Sequence, residues 1–394
     1  MQCNVSPHVL VKIADLAIQT IDERNPVFGG SLRLKTVQDG LEVGISGAGT
    51  DVNVKIPLEE KDILEQGNLI VQYSNLKETL MKFYGQNEVL LGTTRNGQGV
   101  ISANDKHLKL NPTVGDFFSI KENDDTAIPV KLAKKDLLFM LDNTMGSISN
   151  QDLTRKGLEG LLLRFDNNEL TSVATDGRRL SLAKTKIDVD TNLSTNALIS
   201  KKTAMALKRL VGKPDDIDGV RDISLDLKEN SIQARLAHRI HDTKGGHADV
   251  DVTVNTLLLD EKYPDYKRLL DVDFSHVVEL DAKHLIDLID KVSTKDMTSS
   301  VKDKNINLTF MPDGMVFVRD EKLNNTKENS ESMAVKFNQD KSYELSFNLP
   351  YLKNALNFAK EETIRMTFND KDAGVVITSP SNDSVVQLVA RRKT

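Results

Sequence analysis

The stretch that decides the fold is residues 348–370, NLPYLKNALNFAKEETIRMTFND. Residues 351–360 place apolar side chains at helical spacing, and residues 363–369 alternate apolar and polar side chains as a strand does. Another alternating run, 342–348, comes before the helix, and the apolar run 375–377 follows a turn. The segment therefore predicts a strand, a helix and then a pair of strands.

The same order of elements occurs twice earlier in the chain. The earlier copies have their strands and helices at 68–73, 75–84, 88–93 and 99–103, and at 197–199, 201–211, 222–227 and 231–236. The copies are about 100 to 150 residues apart, which is the size of an independent domain, whereas solenoid repeats recur roughly every 20 to 50 residues. We therefore interpret the chain as three similar domains in tandem.

A matching first half, a helix followed by alternating strands, precedes each copy and supports the repeat independently. Its predicted helices are 6–21, 132–145 and 282–292, and its predicted strands include 161–165, 170–174, 180–187, 306–310 and 315–318. The pattern breaks at 121–128 and at 270–275. The sequence thus predicts an α+β protein with domains 1–127, 128–274 and 275–394, each a doubled helix-and-sheet unit. The polar stretches 242–249 and 321–332 do not fit the repeat, and we expect them to be mobile loops.

The composition favours a cytoplasmic protein without a membrane anchor. The chain has 394 residues, a formal net charge of −6 and one cysteine, Cys3. A single cysteine excludes an internal disulfide framework and fits a reducing compartment. Residues 1–17 contain polar and charged side chains, so we expect neither a signal peptide nor a membrane span. An acidic chain can still concentrate Lys and Arg on one surface, so the net charge does not exclude a nucleic-acid partner.

Residues 173–180, VATDGRRL, resemble the central signature of the bacterial DNA polymerase III beta subunit, the sliding clamp. Further similarity to this family lies in GTD at 49–51, YPDYKR at 263–268, FNLPYL at 347–352 and IRM at 364–366. The resemblance implies the DNA-clamp fold, arranged as a head-to-tail homodimeric ring with helices lining the hole and antiparallel sheets outside. Such a ring encircles double-stranded DNA, tethers a DNA polymerase and is opened by a clamp-loader ATPase. The resemblance therefore implies a protein that is not an enzyme and that uses no cofactor and no metal.

Sliding requires Lys and Arg side chains that contact phosphates, because contacts with bases would hold the ring in place. The predicted DNA-binding residues on the helices are Lys77, Lys82, Lys134, Lys135, Lys201, Lys202, Lys208, Arg209 and Lys353, and the resemblance adds Arg24, Gln151 and Arg155. The best basic cluster lies at 201–209. On one helix alone such residues are more often an ordinary solvated face, and their recurrence in three domains is what favours DNA contact.

The resemblance also implies a hydrophobic pocket between the second and third domains that binds short linear peptides of polymerases and of the clamp loader. Its predicted members are Leu158, Thr175, Gly177, Arg178, Arg179, Leu180, Pro264, Arg268, Leu269, Asn348, Tyr351, Leu388 and Val389. An apolar groove rimmed by Arg and Thr suits a peptide with Leu or Phe anchors and a Gln. Two features depart from the family: Arg178 stands where His is common, and the tail 386–394, VQLVARRKT, lacks the Pro of the family's Met-Pro ending. Both bear on which peptides the pocket accepts.

Ring closure pairs strand edges of the first domain of one chain with those of the third domain of the other. Leu108, Leu110 and Val292 are the predicted dimer-interface residues.

Three other interpretations are weaker. An enzyme would need a nucleophile and base, a phosphate loop or a metal pair, and none of these occurs at usable spacing around 176–179. A metal cluster could be built from His238, His241, Asp242 and His247, although solvated loop histidines are the simpler interpretation. The more serious alternative is a clamp-fold paralogue that acts only as a protein-interaction scaffold, and the altered tail and the two polar stretches keep it open.

Overall fold

In the computed structural model the chain is described over residues 1–21, 30–47, 49–111, 127–150, 152, 154–189, 193–212, 222–241, 247–295, 304–321, 330–337, 339–370 and 374–392. The structural statements that follow concern these residues. They form two compact units. The first comprises Met1–Leu138, Lys186–Leu193 and Ile199–Asp260, and the second comprises Phe139–Thr185, Ser194–Leu198 and Glu261–Thr394.

Both units combine α-helices with β-sheets. The helices are α1 (Pro7–Thr20), α2 (Tyr73–Met81), α3 (Lys134–Thr144), α4 (Lys201–Val211), α5 (Ala282–Lys295) and α6 (Leu349–Leu356). The strands up to residue 200 are β1 (Gln2–Val5), β2 (Ser31–Val37), β3 (Gly40–Gly47), β4 (Thr50–Pro57), β5 (Ile63–Glu65), β6 (Gly67–Gln72), β7 (Val89–Thr93), β8 (Gly99–Ala103), β9 (Lys106–Leu110), β10 (Ile128–Ala133), β11 (Gly160–Asp166), β12 (Glu169–Thr175), β13 (Arg179–Lys186) and β14 (Ser194–Ser200). The later strands are β15 (Asp222–Leu227), β16 (Ser231–His241), β17 (His247–Leu257), β18 (His276–Asp281), β19 (Asn305–Phe310), β20 (Met315–Asp320), β21 (Ser330–Ala334), β22 (Tyr343–Asn348), β23 (Thr363–Phe368), β24 (Gly374–Ser379) and β25 (Asn382–Ala390).

The first unit contains two antiparallel sheets. Their strand orders are β5-β1-β7-β8-β9 and β10-β15-β16-β17-β4-β3-β2-β6. The longer sheet is continuous because β4 pairs with β17, from Thr50 opposite Thr256 to Lys55 opposite Asp251. Two four-stranded runs, one that ends at β4 and one that ends at β17, are thereby joined edge to edge. We call this pairing the first junction.

The predicted alternation of side chains builds the core of the first unit. Leu32 and Leu34 of β2 and Val52 and Val54 of β4 are fully buried, because residues two apart in a strand point to the same face. Helix α1 covers that face with its own buried stripe and packs against α2 and α4. Removal of these apolar side chains from water is the main source of stability for such a layer.

The second unit also has two sheets. Their strand orders are β14-β11-β12-β13-β25-β24-β23-β18 and β21-β20-β19-β22. The longer sheet is continuous because β13 pairs with β25, antiparallel, from Arg179 opposite Val389 to Ala183 opposite Val385. This pairing, the second junction, repeats the arrangement of the first. A core of aliphatic residues and Phe side chains lies between these sheets and helices α5 and α6.

Three helices begin at a side-chain cap of a residue type that favours this position. The amides of Val9, Thr203 and Tyr351 donate to the side-chain oxygens of Ser6, Ser200 and Asn348 at 3.4, 3.1 and 3.3 Å, respectively. Helix α4 has the predicted bounds, 201–211. The caps fix the first turns of α1, α4 and α6.

Some predicted elements need correction. The helix predicted at 132–145 begins only at Lys134, because Leu132 belongs to β10 and lies opposite Ile223 of β15. The helix predicted at 351–360 is α6, which ends at Leu356 and continues as a 3-10 turn, Asn357–Ala359. The ends of both stretches expected to be loops are strands, since 247–249 belong to β17 and 330–332 to β21. Residues 242–246 and 322–329 lie outside the described part of the chain.

The boundary between the two compact units falls within α3 and within β14. The units therefore do not follow the three predicted domains, whose limits stay a prediction.

Candidate peptide pocket and basic helix

A pocket of about 860 Å³ opens on the second unit. Three segments form it: the turn before β13, the start of α6 and the chain that leaves β25. The lining residues are Arg178, Asn348, Pro350, Tyr351, Ala390, Arg391 and Arg392. The pocket thus lies where the signature 173–180 meets the motif 347–352.

The pairing of β13 with β25 brings these segments together. The amide of Ala390 donates to the carbonyl of Arg178 at 2.8 Å. Just after the strand, the amide of Arg392 donates to the carbonyl of Ser346 at 2.8 Å. The tail therefore runs beside both the signature turn and the strand that leads into α6.

The Asp-Gly turn of the signature fixes the two arginines that follow it. The Asp176 carboxylate accepts hydrogen bonds from the amides of Arg178 and Arg179 at 2.9 and 3.1 Å, and from Nε of Arg179 at 3.0 Å. Gly177 has φ = +83°, a backbone conformation that residues with a side chain rarely adopt. A Cβ there would lie 2.9 Å from a guanidinium nitrogen of Arg155. The turn leaves Arg178 exposed and holds Arg179 half-buried.

Tyr351 is the aromatic residue of the pocket wall, and two contacts hold it. The guanidinium of Arg179 lies over its ring, 4.3 Å from the centroid, in a cation–π arrangement. The side chain of Asn348 caps α6 by accepting from the Tyr351 amide, and Pro350 occupies the first turn, where a missing amide hydrogen costs the helix nothing. The pocket wall is therefore preformed at this residue.

A buried chain of polar side chains anchors β25 beside β13. The hydroxyl of Ser181 donates to Oε1 of Gln387 at 2.5 Å and lies 2.6 Å from the hydroxyl of Ser147. Nε2 of Gln387 in turn donates to the carbonyl of Asn143, the residue before the end of α3, at 3.0 Å. Buried polar groups that are all paired fix one arrangement. These hydrogen bonds therefore set the register of β25 against β13, which places the tail at the pocket.

Three predicted pocket residues, Arg178, Asn348 and Tyr351, line the pocket. The predicted Thr175, Gly177 and Arg179 belong to the signature turn behind it, where the Thr175 hydroxyl donates to the carbonyl of Arg179 at 2.6 Å. The predicted Leu388 is half-buried on β25.

The remaining predicted residues do not line this pocket. Leu158, Leu180 and Val389 are at most 1% exposed, so they support the wall from the core and offer no surface to a ligand. Pro264, Arg268 and Leu269 are exposed but are not lining residues, and Arg268 pairs with Asp265 at 2.8 Å.

Sequence reasoning missed four lining residues, Pro350, Ala390, Arg391 and Arg392. Pro350 lies inside a motif that was recognised, so its neighbours pointed to it. The tail residues reach the pocket through the pairing of β13 with β25, which joins parts of the chain about 200 residues apart. Their departure from the family ending was the available signal.

Helix α4 carries the most concentrated basic surface among the helices of the first unit. Its sequence, KKTAMALKRLV, contains no acidic residue. Lys202, Lys208 and Arg209 are exposed, while Leu207 and Leu210 on the other side are buried. Nη1 of Arg209 donates to the carbonyl of Gln19 near the end of α1 at 2.6 Å, so this arginine also ties α4 to α1.

Other predicted DNA-binding residues are paired with acids. Lys77 pairs with Asp15 at 2.9 Å, Lys82 with Glu78 at 2.9 Å, Arg155 with Asp152 at 3.0 Å, and Lys353 with Asp290. The hydrogen bonds that the ammonium group of Lys77 donates to Tyr73 and Asp15 raise the pKa of Lys77. Lys135 is exposed. Arg24 and Gln151 lie outside the described residues.

Lys134 is a correction to the predicted DNA surface. It is 4% exposed, and its Nζ donates to the carbonyl of Ala237 at 3.0 Å. Burial lowers the pKa of its ammonium group. A lysine held in this way satisfies a strand carbonyl and does not reach a phosphate.

The three predicted dimer-interface residues differ in exposure. Leu110 and Val292 are fully buried within their own units, so neither presents a surface to another chain. Leu108 is half-buried on β9, the edge strand of its sheet. An apolar sequence position alone does not distinguish a core residue from an interface residue.

The histidine group of 238–247 offers no metal site in the described part of the chain, where no three His, Cys, Asp or Glu side chains come close enough to hold an ion. His238 is half-buried on β16, and burial lowers the pKa of its imidazole. His241 ends β16 opposite His247 of β17, so these histidines belong to strands and not to a solvated loop.

Two models of one protein family match the chain. The DNA polymerase III beta subunit, central domain, matches residues 131–265, and its C-terminal domain matches residues 267–392. Together they span most of the chain. This chain belongs to the DNA polymerase III beta subunit family.

Relatives of the family extend the match to the full length. The beta sliding clamp of Pseudomonas aeruginosa is 23% identical over 99% of this chain and 99% of its own length. The crystal structure of the DNA polymerase sliding clamp from Bacillus subtilis superposes with a TM-score of 0.83 at 19% identity, covering 100% of this chain and 99% of that one. A sliding clamp from P. aeruginosa bound to griselimycin has a TM-score of 0.80 at 21% identity, with both chains fully covered. The fold is therefore the clamp fold, and full-length similarity to proteins named sliding clamps favours that interpretation over the scaffold paralogue.

Among the described helices, none has the length and the apolar character needed to cross a membrane.

Proposed function

We propose that this chain is a DNA sliding clamp, a non-enzymatic and cofactor-free cytoplasmic protein that encircles duplex DNA as a head-to-tail homodimer. It consists of three domains, 1–127, 128–274 and 275–394. It tethers a DNA polymerase, and a clamp-loader ATPase opens it, because a closed ring cannot thread onto circular DNA. The observation that carries the proposal is the recurrence of one strand pairing at the two junctions.

The pairing follows one rule at both junctions. Within the proposed domains, each half has a helix followed by at least three strands. The third strand after the helix of a first half (β4 or β13) pairs with the third strand after the helix of the next domain's second half (β17 or β25). The rule leaves two equivalent strands over. They are β21, in the first half of the third domain, and β9, in the second half of the first domain. Both are edge strands of their sheets. A second copy of the chain supplies the missing partner for each, and two such pairings close a ring.

The junctions also supply a register for the dimer. The first residue of β4, Thr50, lies opposite Thr256, the residue before the last of β17. The same relation holds for Arg179 of β13 and Val389 of β25. Applied to β21 and β9, the relation pairs Ser330 with Lys109 of a second copy.

Helix α4 supplies the proposed contact with DNA. Its four basic residues, 201, 202, 208 and 209, provide charge without an acidic residue in the same helix. Lys and Arg attract any phosphate backbone equally, so the ring stays on DNA and remains able to move along it. The contact should weaken steeply with salt because counterions compete for the phosphates.

The pocket of the second unit is the proposed site for linear peptides of the polymerase and the clamp loader. Its size and its preformed aromatic wall suit one or two apolar anchor side chains. The related sliding clamp from Pseudomonas aeruginosa is bound to griselimycin, which supports the proposal that a clamp of this fold has a ligand site.

The proposed function is tested by topology. The protein is loaded onto nicked circular DNA with a bacterial clamp loader and ATP, and the amount that comigrates with DNA is measured before and after the circle is cut at one site. A clamp is retained on the circle and slides off the linear product. Equal retention on both forms would mean ordinary DNA binding and would contradict the proposal.

A further inference from the structure

We infer that the pocket selects acidic peptides: its preferred occupant is a short linear segment in which Asp or Glu residues flank the apolar anchors. This inference rests on the proposed peptide-binding function and specifies the chemistry of the partner. It follows from three arginines that line one pocket.

The lining of the pocket is strongly cationic. Three of its seven residues are arginines, Arg178, Arg391 and Arg392, and none of the seven carries a carboxylate. The chain as a whole has a net charge of −6, so this concentration of positive charge is local. Arginine remains protonated at every pH at which the protein is folded, so the charge does not depend on titration.

Two of these arginines are held in place through neutral oxygens. Nη1 of Arg392 donates to Oδ1 of Asn305 at 2.8 Å, and Nη2 of Arg391 donates to the carbonyl of Asn369 at 2.9 Å. Such a bond orients a guanidinium without cancelling its charge. A guanidinium has five N–H donors, so the single bond to Asn305 leaves Arg392 with donors that suit a carboxylate.

Arg178 lies in the turn before β13, beside the tail, whereas Arg391 and Arg392 belong to the tail itself. Its carbonyl accepts from the amide of Ala390, which places its backbone beside the residue that precedes Arg391. Its own amide is held by Asp176, whose carboxylate also binds Arg179, and its side chain lines the pocket. The acidic residue of the turn is therefore engaged with its own turn.

The apolar part of the lining decides the class of the ligand. Pro350 and the ring of Tyr351 form the wall from which α6 starts. A concave site with an aromatic wall suits a Leu or Phe anchor, whereas a phosphate backbone offers no apolar group to fill it. Anchors provide affinity, and the arginines then discriminate between peptides by the charge beside those anchors.

The test compares two fluorescent peptides of equal length. Both carry a Gln and Leu and Phe anchors, and they differ only in that two Asp residues of one are Asn in the other. Affinity is measured by fluorescence anisotropy with the full chain at 0.05 M and 0.5 M NaCl. We expect the acidic peptide to bind about tenfold more tightly at low salt, and we expect the ratio to fall to about twofold at high salt, where the charges are screened.

Two double variants assign the effect to the pocket. Arg178→Gln with Arg392→Gln should weaken the acidic peptide about tenfold and change the neutral peptide less than about twofold. The matched control, Arg164→Gln with Arg365→Gln, removes two arginines of the same unit that pair with Asp166 and Glu279 and do not line the pocket. It should leave the ratio of the two affinities unchanged.

The outcomes separate the inference from the proposed function. Equal affinities for the two peptides would overturn the acidic preference while the peptide pocket remains. An equal loss of preference in the control variant would assign it to net charge and would also overturn the inference. In the wild type, a duplex oligonucleotide and the unlabelled acidic peptide are each set to compete with the labelled acidic peptide. Equally efficient competition by the two would identify a general anion site and would also overturn the inference. If neither peptide binds, the proposed pocket fails and the inference fails with it.

Discussion

The two junctions are built alike and are filled differently. In each, the third residue after a helix cap lies beside the paired strands: Thr203 follows Ser200, and Tyr351 follows Asn348. At the first junction the hydroxyls of Thr50, Thr203 and Thr256 form a buried cluster with oxygen separations of 2.8 to 3.2 Å. At the second junction the guanidinium of Arg179 lies over the ring of Tyr351.

The difference is one of side-chain size. Three threonines are small enough to close the first junction with mutual hydrogen bonds, and all three are buried. Arg179 and Tyr351 are long, hold each other through a cation–π contact, and leave a pocket beside them. The same backbone arrangement thus serves as a structural joint at one position and as a binding site at the other.

The largest expected effect comes from removing the aromatic wall of the second junction. Tyr351→Ala should weaken binding of a Leu- and Phe-anchored peptide about a hundredfold, because buried aromatic anchors dominate such contacts. Anisotropy titration measures it. Thr203→Val, the same position at the first junction, is the matched control and should leave peptide affinity unchanged. Equal losses in both variants would show that the two junctions do not differ in function.

Charge reversal separates α4 from α6. Lys201→Glu, Lys202→Glu and Lys208→Glu together should shorten retention on circular DNA about thirtyfold at 0.1 M salt, and this difference from the wild type should shrink as salt rises, because the variant has fewer phosphate contacts for counterions to weaken. Peptide affinity should not change. Lys35→Glu, Lys55→Glu and Lys61→Glu change the same total charge at positions of the first unit outside its α-helices, and they serve as the control. Retention that falls equally in the control would remove α4 from the DNA surface.

The smallest effect concerns the stability of the first junction. Thr203→Val keeps the shape of the side chain but leaves the hydroxyls of Thr50 and Thr256 with one buried partner fewer. The free energy of unfolding should fall by about 1 to 2 kcal/mol, measured by urea denaturation. Thr253→Val should have little effect, because Thr253 lies on β17 near Thr256 in sequence but outside the hydroxyl cluster. Equal losses in both variants would mean that the hydroxyl cluster does not stabilise the junction.

Local patterns predicted the parts of this fold that local chemistry sets. Alternation located β11, β12 and β13, and the helical spacing of apolar residues located α1 and α4. The helix prediction that included Leu132 was wrong because the pairing of β10 with β15, a contact between distant parts of the chain, decided that residue. Lys134 looked like a surface lysine until its strand carbonyl partner was known.

The candidate site was predictable only in part, for the same reason. The signature turn and the start of α6 are short motifs and could be recognised. Arg391 and Arg392 reach the pocket because the Ser181–Gln387 contact and the pairing of β13 with β25 fix the tail there. No local pattern carries that information. Val292 shows the converse, since an apolar residue at helical spacing is equally suited to a core and to an interface.

The proposed third junction, between β21 of one copy and β9 of another, is the central claim. It is tested with the variant Ser330→Cys with Lys109→Cys, treated with a mild oxidant and examined by denaturing electrophoresis. The native Cys3 should stay silent, because burial raises the pKa of its thiol to about 12 and so suppresses the reactive thiolate at pH 8. Its alkylation at pH 8 should therefore be slow until the chain is unfolded.

A closed ring should yield a covalent species of twice the 43.8 kDa chain mass at every protein concentration tested, whereas Ser330→Cys alone and Lys109→Cys alone should each remain monomeric on the gel. The sedimentation mass of the untreated protein should show the same dimer. A chain that sediments as a monomer at all concentrations and yields no cross-linked dimer would contradict the ring and, with it, the sliding-clamp mechanism.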